Sequence, residues 1–128
     1  MNMNMQGYVT FYGGTNAASD SRLKEQVEDL PTEDCLALLR SVGAKSYVRT
    51  DLGDQVRRCG FIAQEVEAAA PASLGSNLVG EATRSTSRDD PASGETIKTL
   101  SYERLAVVLW QCTRSLLARV EALEARLP

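Results

Sequence analysis

The sequence has 128 residues, 43% hydrophobic and 24% charged, enough for one small domain with a modest apolar core. Its formal net charge of -3 supplies no basic field for a nucleic-acid backbone, and no apolar run approaches the ~20 residues that span a bilayer. Histidine is absent, which removes Ser-His and Cys-His catalytic pairs and Cys/His zinc sites together, and leaves Lys, Tyr, Cys or carboxylates for any acid-base chemistry.

The opening residues Met1-Asn2-Met3-Asn4-Met5-Gln6 have neither the basic region nor the apolar core of a secretion signal, so the chain reads as soluble and made in the cytoplasm. Tyr8-Val9-Thr10-Phe11-Tyr12, ending at Gly13-Gly14, predicts a short strand, and the small polar residues 15–20 predict an exposed connection. Leu23, Val27 and Leu30 share one face of a helical segment over 21–30 that Pro31 ends. A second short helix follows, with Thr32 as its N-cap, Glu33 and Asp34 in its first turn, Leu36, Leu38 and Leu39 on its apolar side, and Gly43 in the left-handed conformation beyond its end.

Residues 46–50 and 57–62 have strand character, and Asp51-Leu52-Gly53-Asp54 between them carries turn residues, which together predict a β-hairpin. Residues 63–70 favour a helix that stops at Pro71. Residues 75–95 are mostly Gly, Ser, Thr, Asp and Arg, and read as a long loop. Ser101 can cap a long terminal helix on which Leu105, Leu109, Cys112, Leu116, Val120, Leu123 and Leu127 follow at spacings of four, three, four, four, three and four. The repeated four is a stutter in a heptad seam that faces either partner helices or the chain's own domain. Cys35, Cys59 and Cys112 are far apart and read as buried free thiols. No cofactor and no metal is expected.

Three stretches carry a resemblance: Ser19-Asp20-Ser21-Arg22-Leu23-Lys24, then Gly60-Phe61-Ile62-Ala63-Gln64-Glu65-Val66-Glu67, then Tyr102-Glu103-Arg104-Leu105 at the head of the terminal helix. In that order they resemble the intramolecular chaperone auto-processing domain of phage endosialidase tailspikes and tail fibres, also present in myelin regulatory factor-type proteins. The resemblance implies an α+β fold of short strands and small helices with a long C-terminal helix that forms a trimeric bundle or coiled coil. It divides the chain into an upstream segment, 1–18, and the chaperone domain, 19–128, with 101–127 as terminal helix. It further implies a homotrimer that folds an upstream fibre or tailspike passenger in the host cytoplasm and stays in the virion fibre if retained; charge and hydropathy point to no nucleic-acid and no membrane partner. The domain would release itself by cutting between Ala18 and Ser19, with Ser19 as nucleophile and Lys24 as base. The polar stretch over 75–95 departs from the family pattern, as does the short segment ahead of the cut.

The chemistry asked of that pair is specific. A serine hydroxyl needs a neighbour to take its proton, and without histidine a neutral lysine amine, desolvated or close to another cation such as Arg22, is the natural base. On a regular helix a separation of five residues is about 500°, or roughly 140° around the axis, so the pair can meet only if Ser19 lies in a non-helical lead-in. Gln64 as an oxyanion donor and Glu65 as a partner of Lys24 or Arg22 are the supporting candidates, with Asp20 either in the site or a cap. Against this stand two other readings: a structural trimerisation cap that does not cut, in which Ser19, Asp20 and Ser21 cap a helix and Lys24 is solvated, and a small coiled-coil adaptor.

Overall fold

The structure, a computed structural model, describes residues 2–3, 8–11, 14–85 and 94–128. Tyr12, Gly13 and the middle of the polar stretch, 86–93, lie outside the described residues. The fold is α+β, with short strands, small helices and one long C-terminal helix.

At the start, β1 (Asn2–Met3), β2 (Tyr8–Phe11) and β3 (Gly14–Ala17) form an antiparallel sheet in that order. The expected strand at Tyr8 is present. Residues 14–17, expected as a connection, instead pair back onto it, from Phe11 opposite Gly14 to Tyr8 opposite Ala17. Backbone pairing needs no apolar side chain, so small polar residues can complete a ladder that their composition does not announce.

The helical segment expected over 21–30 does not form. A single 3-10 turn spans Ser21–Leu23, and Gln26 takes a left-handed φ of 52°, which no continuous helix accommodates. Leu23 is 71% and Val27 80% exposed, so among the described residues their apolar stripe has nothing to pack on, and helix propensity alone does not hold so short a segment. The first true helix, α1 (Thr32–Ser41), begins with Thr32 already inside it; the N-cap is Pro31, extended at φ -61° and ψ 117°, and not Thr32 as expected. Val42 ends it in an extended conformation, its N–H donating to the Leu38 carbonyl, so the left-handed Gly43 of the sequence reading is not used.

The hairpin of β4 (Lys45–Val48) and β5 (Arg57–Gly60) forms as expected, with Lys45 opposite Gly60 and Val48 opposite Arg57. The chain leaves β5 through Phe61 and Ile62 directly into α2 (Ala63–Ala69), which stops ahead of Pro71. A 3-10 turn, Ala72–Leu74, closes on Gly75 at φ 92°, where a side chain would be strained. The expected loop is then largely a second antiparallel hairpin, β6 (Val79–Ser85) with β7 (Gly94–Leu100), paired from Val79 opposite Leu100 to Ser85 opposite Gly94. Two of its cross-strand pairs are ionic, Glu81 opposite Lys98 at 2.7 Å and Arg84 opposite Glu95, while Val79 opposite Leu100 and Ala82 opposite Ile97 are apolar. Gly, Thr and charged residues interrupt the apolar positions, so the ladder lacks the unbroken alternation by which strands are found.

The helix α3 (Tyr102–Glu124) starts as predicted, the Ser101 hydroxyl accepting from the Arg104 N–H at 3.2 Å. Its N-terminal half lies on the core, which comprises Cys35, Leu36 and Leu38 of α1, Val66 of α2, Leu78, and Val108 and Cys112 of α3. The Gln111 amide donates to the Leu30 carbonyl at 2.8 Å and ties the entry to α1 onto this helix. Beyond Cys112, α3 carries no buried residue, and the twelve residues from Thr113 to Glu124 extend about 18 Å at 1.5 Å per residue.

Candidate functional site

Ser19 and Lys24 stand at the two ends of the 3-10 turn. Asp20 is its N-cap, extended at φ -70° and ψ 136°, and its carboxylate accepts from the Arg22 N–H at 2.9 Å. Lys24 is its C-cap, extended again at φ -125° and ψ 138°, its N–H donating to the Ser21 carbonyl at 3.2 Å. One tight turn between two extended residues folds the chain back on itself, so Lys24 Nζ comes within 2.8 Å of Ser19 Oγ. The separation that a continuous helix would impose is avoided in the way the spacing required, with Ser19 in a non-helical lead-in. As drawn, the ammonium donates to the hydroxyl. The same contact, with a neutral amine, runs the other way, and the serine O–H then donates to nitrogen.

Arg22 does not turn its charge on Lys24. Its guanidinium closes as a fork on Asp20, Nε to Oδ1 at 3.1 Å and Nη2 to Oδ2 at 2.7 Å. The Arg22 contact holds the Asp20 carboxyl below its ordinary value and raises the guanidinium in turn, so the two side chains brace the turn as an ion pair. The whole stretch from Ala18 to Asp29 is exposed, including Leu23 and Val27.

Gln64 and Glu65 lie elsewhere in the single chain. Gln64 opens α2 on the wall of a wide cleft that it shares with Tyr47, Arg49, Arg84, Lys98 and Tyr102. Glu65 pairs with Lys45 at 3.9 Å, where the sequence reading had given it Lys24 or Arg22. The Gly60 block does meet the head of α3, through a contact that spacing did not reveal. The Phe61 N–H donates to Tyr102 Oη at 3.1 Å, and the two rings stack at 6.0 Å. A Cβ on Gly60 would lie 2.5 Å from Tyr102 Oη and 3.1 Å from Tyr47 Oη, so glycine is the residue that leaves room for both hydroxyls. Two of the three stretches behind the family resemblance are therefore one packed unit.

The expected seam on α3 divides. Cys112 is fully buried in the chain's own core and Leu105 packs against it, which removes both from a surface available to partners. Leu109, Leu116, Val120, Leu123 and Leu127 remain exposed, beside Trp110 and Leu117. Of the cysteines, Cys35 and Cys112 are buried and burial pushes both thiols up, while Cys59, also expected inside, is exposed on β5. β5 alternates, so a residue next in line to Gly60 and its two tyrosines points to the other face.

Residues 19–75 match the family described as chaperone of endosialidase, so the resemblance read from the sequence holds over that region. In fold, the chain is similar to the carboxy-terminal domain of the bacteriophage T5 L-shaped tail fibre with its intra-molecular chaperone domain, with a TM-score of 0.58 and 16% sequence identity. That likeness covers 91% of this chain and 34% of the tail-fibre chain, so the sequence spans about a third of its structural relative. No curated protein sequence gives a match.

Proposed function

We propose, from a family match that opens on Ser19 itself, that this chain is the C-terminal intramolecular chaperone of a phage tail fibre or tailspike, which assembles as a homotrimer and releases itself by cutting between Ala18 and Ser19. Residues 19–128 are the chaperone domain and 1–18 the segment left on the passenger. The observation that carries the reading is the 2.8 Å contact of Lys24 Nζ with Ser19 Oγ, one residue beyond the bond to be cut. Ser19 Oγ attacks the Ala18 carbonyl while Lys24 takes the hydroxyl proton and passes it to the departing Ser19 nitrogen. The C–N amide bond breaks and a C–O ester forms. Water then hydrolyses the ester, leaving a carboxylate on Ala18 and restoring the Ser19 hydroxyl.

A base of this kind works only as the neutral amine, and the turn that carries it is exposed in the single chain. Assembly supplies what the single chain lacks. Leu23 and Val27, exposed beside the pair, would be covered together with the turn. Coupling the cut to assembly ensures that the chaperone leaves only after the passenger chains have been brought together.

Mass spectrometry of the incubated chain tests the chemistry. Wild type yields a product beginning at Ser19 without added protease, and Ser19→Ala and Lys24→Ala yield none. Equal product from all three would dispose of the pair. A chain that forms the trimer and stays intact would instead be the non-cleaving cap.

A further inference from the structure

The turn between Ser19 and Lys24 holds a carboxylate that the proposed cut cannot leave free. Asp20 stands beside the nucleophile and four residues ahead of Lys24, the spacing at which an acid and a base pair across one helical turn. A carboxylate paired with the Lys24 ammonium works against the chemistry in two ways. It draws Nζ away from the serine hydroxyl, and it favours the charged form of an amine that must be neutral to take a proton.

Arg22 occupies that carboxylate. Its Nε donates to Asp20 Oδ1 at 3.1 Å and its Nη2 to Oδ2 at 2.7 Å, while its backbone N–H adds a third bond to Oδ1 at 2.9 Å. Both oxygens are therefore engaged. Among the described residues Asp20 forms its ion pair with Arg22, and none joins it to Lys24, whose Nζ lies instead 2.8 Å from Ser19 Oγ. The Arg22 side chain is also the first cause that holds the Asp20 carboxyl below its ordinary value. A guanidinium suits this task because its planar fork meets two carboxylate oxygens at once, whereas an ammonium is a point charge with no such fork. Residues 18–29 are exposed, so the charges at hand are those of the turn itself, Asp20, Arg22 and Lys24, with Glu25 next along the chain.

We infer that Arg22 is a positioning residue for the cut: by closing on Asp20 it keeps that carboxylate from Lys24 and leaves the lysine to Ser19. The inference rests on the cut proposed above and adds the residue that sets which partner the lysine takes.

A rescue experiment separates this role from a simple brace. Full-length chains are refolded into buffers from roughly pH 6 to pH 10, and the product beginning at Ser19 is followed by intact mass. Arg22→Ala should cut about tenfold more slowly at neutral pH, with the pH of half-maximal rate raised by about one, because Asp20 is then free to pair with Lys24. Adding Asp20→Asn to Arg22→Ala removes the carboxylate and keeps an oxygen that can cap the turn. The rate should then return to within about threefold of wild type, and the half-maximal pH should fall back. Urea midpoints are measured alongside, so that each rate is read on folded protein, and Glu25 is present in every chain compared. If Arg22 only braces the turn, Arg22→Ala slows the cut equally at every pH and Asp20→Asn does not restore it. Either result overturns the inference and leaves the cut standing, as does an Arg22→Ala chain that cuts like wild type. A wild type that stays intact at every pH overturns the cut itself, and the role of Arg22 with it.

Discussion

Gly60→Ala tests the packing of the motif that carries the family resemblance, because the space it would fill is already occupied. The added methyl would sit 2.5 Å from Tyr102 Oη, so the tyrosine must move, and moving it breaks the bond from the Phe61 N–H and loosens the ring stack. Losing this exposed hydrogen bond costs about 0.5–1.5 kcal/mol, and a disturbed aromatic pair about 0.5–1.5 kcal/mol. Against this, alanine restricts the unfolded chain and returns roughly 0.4–1 kcal/mol. The net expectation is a loss of about 1 kcal/mol, which lowers a urea midpoint by roughly 0.3–1 M for slopes of about 1–3 kcal/mol/M. Midpoints are compared at one protein concentration. The decisive arm is Tyr102→Phe, which removes the oxygen in the way and keeps the ring. In that background Gly60→Ala costs little. If it costs the same in both backgrounds, the crowding at Tyr102 is not the reason for glycine.

Thiol labelling of the native chain followed by intact mass should show one fast-reacting cysteine, Cys59. Cys35 and Cys112 should react only in denaturant, since they are buried and their thiols are held protonated; rapid native labelling of all three would contradict the core described above. Acidification should weaken the fold. Hydrogen bonds from Arg49, Arg58 and Lys98 hold the carboxyls of Asp51, Asp54 and Glu81 below their ordinary values, so the folded chain binds fewer protons than the unfolded one. Their contribution is present above the unfolded carboxylate range of about 4 and is lost as pH falls through the lowered values. The urea midpoint should therefore fall between pH 6 and pH 3, and a midpoint that does not move would refute the linkage.

Local chemistry made part of this protein legible from residues alone. Ser101 announces its helix because a capping hydroxyl satisfies backbone donors within one turn, and the β4–β5 hairpin shows through because its strand formers flank a turn sequence. The absence of histidine and the separation of Ser19 from Lys24 together set the condition that the pair must bracket a bend, and the turn at Ser21–Leu23 meets it. Tertiary structure decided the rest. The segment 21–30 has a helix's spacing but no surface to lie on, and β6–β7 has a sheet's ladder but polar faces that hide it. The apolar run on α3 shows the same dependence: spacing counts Cys112 and Thr113 as near equivalents, and only the packing of the core against one side of the helix decides which is buried and which stays exposed. Periodicity specifies that an amphipathic face exists. What covers it depends on contacts between residues far apart in the chain, and those are set by the fold.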